Sequence, residues 1–330
     1  MNKRKNLYLD LYCDEVKDCR LEIKSTSEIQ SWTYIGILIV PDYISTELFT
    51  DINNLRCLSD SNQNWESCQK NCKYHERNDT EIHYNKVGST IKYKIASRWV
   101  DYWLNDKNLI YYYILGIDTN KLDKQNFGPK EQQDRNTTIY NRFFRAALQS
   151  SLNWYFGKSK NIIVKNIYHD KGNSEEHQFF PWHSIYKTEK EYDNIKFQNA
   201  MINFIDSDHR KATGHPYHSH FIQFIDIILG CYVNCLHKNS INKNKLSLAI
   251  KSFDIIERIV KNPFNKNSKY NYYKRQSIQF FPKHDLTGLD ENSLEYQKKQ
   301  KENFYYDRPL LIESEATGQL SFLEDDMLAL

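Results

Sequence analysis

The stretch "LYCDEVKDC", residues 11–19, closes the first apolar run of the chain and poses the question that decides the fold. The run from Leu7 to Cys13 has the make-up of a buried strand, yet it ends in two adjacent carboxylates, Asp14 and Glu15. Two readings are open: the solvent end of an edge strand, or the first ligand of a metal site.

The other 321 residues have to decide between them, and the chain is long enough for one large domain or two ordinary ones. Of its 330 residues 40% are hydrophobic and 14% aromatic, with 24 tyrosines, which is ample for a packed core. A net charge of +3 permits a nucleic-acid ligand without arguing for one. The seven cysteines are odd in number and are not spaced as a disulfide framework, so they read as reduced thiols. No window reaches the roughly 18–20 apolar residues of a membrane span. The basic start, Met1 to Asn6, is followed by an apolar stretch broken by Asp10 and Asp14, which is no secretory signal, so a cytoplasmic protein is expected.

Working outward, "WTYIGILIV" (32–40) reads as a second strand ended by Pro41, and 45–55 as a short helix. "EIHY" (81–84) reads as a short strand. In the following segment Ile91, Ile95, Trp99 and Trp103 recur every fourth residue, which predicts a helix. Residues 109–118 predict a strand, 137–155 a helix, 161–170 a strand ending in Asp170, and 196–206 a further strand. Two helices follow, at 219–236 and 245–260; beyond 262 the pattern places no elements. Strands alternating with helices indicate an α/β domain with a mixed sheet.

Carboxylates stand at the ends of these apolar elements: Asp14, Glu81, Asp118 and Asp170. Asp226 lies inside the apolar helix "FIQFIDIILG" (221–230), where an ionised group without a partner costs several kcal/mol. Gln223 and Gly230 lie three before and four after it, so one narrow polar stripe runs along an otherwise buried helix. A divalent cation shared between several acids would supply the missing compensation. Strand-end Asp residues also cap turns, and that ordinary role stands beside the metal reading for Asp118 and Asp170.

Taken together, "YCDE" (Asp14, Glu15), "EIHY" (Glu81, His83) and "IQFIDIILG" (Gln223, Asp226, Gly230) resemble the domain-of-unknown-function family 3800, of the ribonuclease H-like superfamily. "NFIDSD" (203–208) is similar to that family's strand leading into a Ser-containing turn, and the likeness spans roughly residues 7–237. Val16 stands where the family carries Ser after the acidic pair. The resemblance implies an α/β, ribonuclease H-like mixed sheet flanked by helices, with insertions and a C-terminal extension. It divides the chain into a domain over 1–240, with a Cys-rich insertion at 56–79, and a helical and basic extension over 241–330. It further implies a metal-dependent nuclease that cleaves DNA or RNA with two Mg²⁺ or Mn²⁺ ions. Asp14 would bridge both ions, Glu81 and Asp226 would complete one site each, and Asp170, or Asp118 in its place, would be the fourth acid. Glu15, Gln223, His220 and His83 would support the site, His83 by holding a water or the scissile phosphate. Such proteins occur in bacterial mobile and defence contexts, which implies a partner ATPase or sensor subunit and no membrane. A nuclease-like domain that only binds nucleic acid or a partner, and a phosphoesterase for a small nucleotide, are the other readings.

Three signals lie outside this set. Cys57, Cys68, Cys72 and His75 are ligand types for structural Zn²⁺, although the ten residues after Cys57 and the lack of a paired CxxC fit it poorly. His209, His215, His218 and His220 crowd the approach to the apolar helix. "KYNYYKRQSIQFFPKH" (269–284) interleaves cations with aromatic rings, which suits single-stranded nucleic acid or an ordinary amphipathic strand. The acidic end, 313–330, reads as a tail that docks on this protein or a partner.

Overall fold

A computed structural model of the chain describes residues 4–23, 28–58, 81–122, 124, 132–156, 160–171, 185–212, 217–237, 240, 242–262 and 267–281. Its centre is a seven-stranded mixed sheet. The strands are β1 (Lys5–Ile23), β2 (Glu28–Pro41), β3 (Tyr111–Asp118), β4 (Lys160–Asp170), β5 (Ile195–Phe197), β6 (Ile202–Ile205) and β7 (Gln276–Phe281). They lie in the order β5-β4-β1-β2-β3-β7, with β6 also on β4. β2 runs antiparallel to β1 and β3, and every other pairing is parallel. The helices are α1 (Asp42–Asn54), α2 (Thr90–Leu104), α3 (Gln132–Phe156), the short α4 (Thr188–Glu191), α5 (Tyr217–His237) and α6 (Lys243–Lys261).

The two-residue period of a strand decides what each face buries. On β1, Leu9, Leu11 and Cys13 enter one core with Phe143 and Phe144 of α3. Tyr12 enters the other, with the apolar faces of α1, α2, α5 and α6. Asp14 follows Tyr12 by two and therefore faces α5, whereas Glu15 faces α3. The reason α5 can lie so close is Gly36, the β2 partner of Asp14. A Cβ there would stand 2.7 Å from the side chain of Leu229. A bare backbone at this one position lets the helix settle directly over the strand that carries Asp14.

Several expectations need correction. Residues 81–83 join no strand, and Tyr84–Lys86 form a turn of 3₁₀-helix, because the Ile82 and Tyr84 N–H groups are taken by side chains of α5. The strand expected over 196–206 is two, since β4 bulges at Lys165, between its pairings to Leu9 and Asp10, and interrupts the ladder. Residues beyond 240 continue the same structure: α6 packs on α2 and α5, and β7 extends the sheet beside β3. The aromatic residues Tyr272, Tyr273 and Phe280 of the segment 269–281 are buried in that core and do not form an exposed stacking face. α5 is the one helix among the described residues long and apolar enough to cross a membrane, and its window is wholly buried inside the protein.

Gly36→Val should force α5 off the sheet. The expected loss is about 2 kcal/mol, or roughly 4–8 °C in Tm for a domain of this size, read by thermal unfolding; an unchanged Tm would show that the approach does not need glycine.

Candidate functional site

Cys13 of β1 is paired with His169 of β4, so the next residues, Asp14 and Asp170, are lateral neighbours on adjacent strands. Strand spacing sets their backbones about 5 Å apart, and both side chains point to the α5 face. Asp226 comes down on them from α5, one turn before Leu229 over Gly36. Asp14 and Asp226 are 6% and 4% exposed and within hydrogen-bonding reach of each other. Burial raises the pKa of Asp14 well above the usual carboxylate range, and the nearby charges of Asp226 and Asp170 raise it further. Burial also raises Asp226, and it raises Asp170 even though the neighbouring His169 pulls the other way.

Glu81 reaches the cluster on a segment gripped by the polar stripe of α5. Gln223 Oε1 accepts the Ile82 N–H at 3.0 Å, and Asp226 Oδ2 accepts the Tyr84 N–H at 2.5 Å. One turn on, Gly230 faces the Tyr84 ring, where a Cβ would overlap it at 2.0 Å. A turn beyond, Asn234 Nδ2 donates to the Tyr84 hydroxyl at 2.7 Å. Held this way, Glu81 accepts from Ser207 Oγ at 3.1 Å and forms an ion pair with Lys86. Burial would raise Glu81, but Lys86 and Ser207 hold it below its ordinary value. The Ser207 N–H donates to Asp170 Oδ1 at 3.2 Å, so one residue ties Glu81 to Asp170. The site thus gathers all four acids of the leading set: Asp14, Glu81, Asp170 and Asp226.

The supporting residues divide. His83 stands beside the cluster, its Nδ1 3.6 Å from Asp226 Oδ2, and accepts the Asn85 N–H at 3.1 Å. Gln223 also donates to the Ser207 carbonyl at 2.6 Å and accepts from the fully buried Arg56 at 3.0 Å. His220 lies behind Gln223, 3.3 Å from Arg56 and stacked on His209, so it props the site and does not face the acids. Burial and Arg56 push His209 down to about 4, which keeps that ring neutral beside the guanidinium. Glu15 belongs to the α3 face, where it pairs with His169 at 3.1 Å and Lys17 at 2.7 Å.

Asp118 is not beside β1: β2 intervenes, and Asp118 pairs with Trp32, four residues along from Gly36. Strand geometry puts it about 16 Å from Asp14, where it accepts from the Asn120 N–H and pairs with Lys121. Cys57 is buried, and its carbonyl accepts from Arg98. Cys68, Cys72, His75, His215 and the tail at 313–330 lie outside the described residues.

Ser207, Arg56 and Lys86 were not foreseen. Ser207 lies within "NFIDSD", whose turn signal was legible, but its two contacts join residues far apart in the chain. Arg56 sits at the border of the polar stretch 56–79, where nothing local marks a buried guanidinium.

Among the described residues no three His, Cys, Asp or Glu side chains stand as a preformed metal site. The donor set nevertheless suits a hard cation. The Glu15, Tyr84 and Ser207 N–H groups each occupy one oxygen of Asp14, Asp226 and Asp170. Among the described residues the second oxygen of each has no N–H or O–H donor apart from the bond shared by Asp14 and Asp226. Carboxylate oxygens short of donors are what Mg²⁺ and Mn²⁺ take as ligands. No family model matches the chain, and searches of curated proteins and of solved structures find no significant match.

Because Asp14, Asp170 and Asp226 have raised pKa values in the fold, folding takes up protons at pH values above their unfolded pKa. Metal-free stability should therefore fall as pH climbs through the raised values and level off above them. Asp14→Asn removes one of three repelling charges and should raise the metal-free Tm at neutral pH by roughly 2–8 °C while flattening the pH slope. Thermal melts in EDTA from pH 5 to 8 test this; a destabilised D14N protein with the wild-type slope would contradict it.

Proposed function

We propose that the chain is a divalent-metal-dependent nuclease on a ribonuclease H-like sheet, hydrolysing phosphodiester bonds of DNA or RNA. The observation that carries this reading is the meeting of Asp14, Asp170 and Asp226 from β1, β4 and α5, with Glu81 delivered alongside. Asp14 on β1, Asp170 on the neighbouring β4 and Asp226 on α5 are acids that the resemblance to family 3800 assigned to the metal site, and their meeting supports that reading. Asp170, on the strand next to β1, takes the fourth place that Asp118 had shared.

The residues that would hold metal are Asp14, Asp170, Asp226 and Glu81. Two Mg²⁺ or Mn²⁺ ions, when bound, would activate the attacking water and stabilise the leaving oxygen of a phosphodiester. The rest is the protein's own work. The three N–H groups from Glu15, Tyr84 and Ser207 each hold one oxygen of Asp14, Asp226 and Asp170 and so restrain their rotamers, leaving the other oxygen of each for a cation. Lys86, half exposed beside Glu81, is a cation at the rim and can pair with a substrate phosphate once Glu81 is otherwise engaged. His83, a quarter exposed and 3.6 Å from Asp226, is placed to hold a water or the phosphate. Cys13, Cys19, Cys57, Cys231 and Cys235 are buried, and buried thiols agree with a reducing, cytoplasmic setting. A nucleic-acid substrate and an ATPase or sensor partner in bacterial defence complete the reading.

A second reading has one observation in its favour: the Lys86 ammonium already occupies Glu81, and such a charge can substitute for a cation in a domain that binds nucleic acid or a partner without cutting it. The two readings part on metal. A nuclease should gain Tm with Mn²⁺, about 2.7 kcal/mol at a hundredfold excess over Kd, and should cleave labelled DNA or RNA in Mn²⁺ but not in EDTA. Asp14→Asn and Asp226→Asn should each lose both the Tm gain and at least a hundredfold in cleavage rate. Cleavage that survives both substitutions, or no Mn²⁺ response in the wild type, would sink the nuclease reading.

A further inference from the structure

The opposite end of the sheet, where β1, β3, β4 and β7 begin, holds an open cavity of about 850 Å³. Leu7 in its wall precedes Asp14 by seven residues on the same strand, about 23 Å away. It is therefore a separate place from the carboxylates, and its character is the reverse of theirs. Lys5, Lys107, Lys160, Lys274 and Arg275 line it against a single acid, Asp42. That acid is held at 2.6 Å by Lys165, and among the described residues none of the four lining lysines has a carboxylate partner.

Arg275 forms part of the cavity wall and is anchored by Asp106, 3.7 Å from its Nη2. It is only 5% exposed, and its Nη2 donates to the Asp106 carbonyl at 2.5 Å. The wall also offers flat apolar faces. Tyr43 is 60% exposed and Tyr8 38% exposed, while Tyr111 packs against Phe156 behind them at 5.5 Å between ring centres. Clustered cations take phosphates, and open aromatic faces take bases. A volume of this size is that of a small-ligand site.

We propose that this cavity is a nucleotide-binding site, with phosphates on the lysines and Arg275 and a base stacked on the exposed tyrosines. The assignment uses none of the carboxylates and stands apart from the nuclease reading. Lys274 and Arg275 come from the basic, aromatic segment 269–284, which thus contributes to a ligand site through two cations while its buried rings serve the core.

The test uses the full chain in EDTA, with fluorescence anisotropy of a labelled ATP and of a labelled eight-residue oligothymidine, and pyrophosphate as competitor. Tyr43→Ala should weaken binding of the favoured probe roughly tenfold, and Lys107→Glu with Lys160→Glu should weaken it by at least as much. Both variants replace residues that line the cavity, and an unchanged Tm confirms their fold. Asp14→Asn should bind as the wild type does, which separates this site from the acid cluster. Tighter binding of ATP identifies a free nucleotide as the occupant, and tighter binding of the oligonucleotide identifies a unit of a single strand. The proposal is overturned if neither probe binds at millimolar concentration, or if both bind the variants unchanged. It is equally overturned if pyrophosphate competes as well as ATP and Tyr43→Ala has no effect, since the cavity would then hold an anion without a base.

Discussion

A helix buried on every side must satisfy the polar groups it carries, and one face of α5 lines up three of them, Gln223, Asp226 and Asn234, with Gly230 between the last two. All three bond one short segment, 82–84, and the glycine makes room for its ring. The stripe is therefore first a clamp. Among the described residues no strand pairs with the segment, so without the clamp Glu81 would not be held at the cluster. Asp226 serves twice, fixing the Tyr84 N–H through Oδ2 and lying against Asp14. A structural bond and a chemical site share a single carboxylate, which makes both sensitive to the depth at which α5 sits over Gly36.

That depth sets the electrostatics as well. Three carboxylates pressed together in a partly dry place cannot all ionise cheaply, so protons are retained where a cation would otherwise sit. The fold tolerates this because charges of the other sign stand nearby but do not enter. Lys86 holds Glu81 from the rim, and His169 lies just beneath the sheet, its pKa raised by Glu15 despite its burial. Glu15 is thus more than the outward half of an acidic pair. It keeps on the α3 face a histidine whose charge favours the ionised form of Asp170.

How much of this was legible follows the range of the interactions. Local apolar patterns showed β3 and β4 nearly to their ends and the cores of β1 and β2, although β1 runs on past the acidic pair to Ile23 and β2 begins at Glu28. The fourfold recurrence of Ile95, Trp99 and Trp103 showed α2, and these signals are legible because they are local. A charge inside "FIQFIDIILG" was legible as an anomaly for the same reason. What local pattern could not show is lateral order. Whether Asp118 or Asp170 lies beside Asp14 depends on which strand neighbours β1, and both end alike in Asp. The role of Ser207 needs β6, β4 and segment 81–84 already in place. β7 was missed because "QSIQFF" mixes Gln and Ser into a strand buried on both faces, where Gln276 and Gln279 accept from Trp103, Tyr112 and Tyr113 instead of facing water.

Overall charge misled for a related reason. A net +3 over 330 residues describes a nearly neutral surface, yet charge here is sorted by strand direction. Six of the seven strands run the same way, so their ends make two unlike poles. Acids gather where β1 and β4 finish, and lysines gather where β1 and β4 begin and just before β3 and β7. Averaging the two hides both. Because opposite poles about 23 Å apart are well beyond a Debye length of roughly 8–10 Å, each can attract its own ligand without cancelling the other. A polyanion drawn to the basic end would meet the carboxylate end only through an intervening cation, which makes binding and any chemistry separable in salt and in metal.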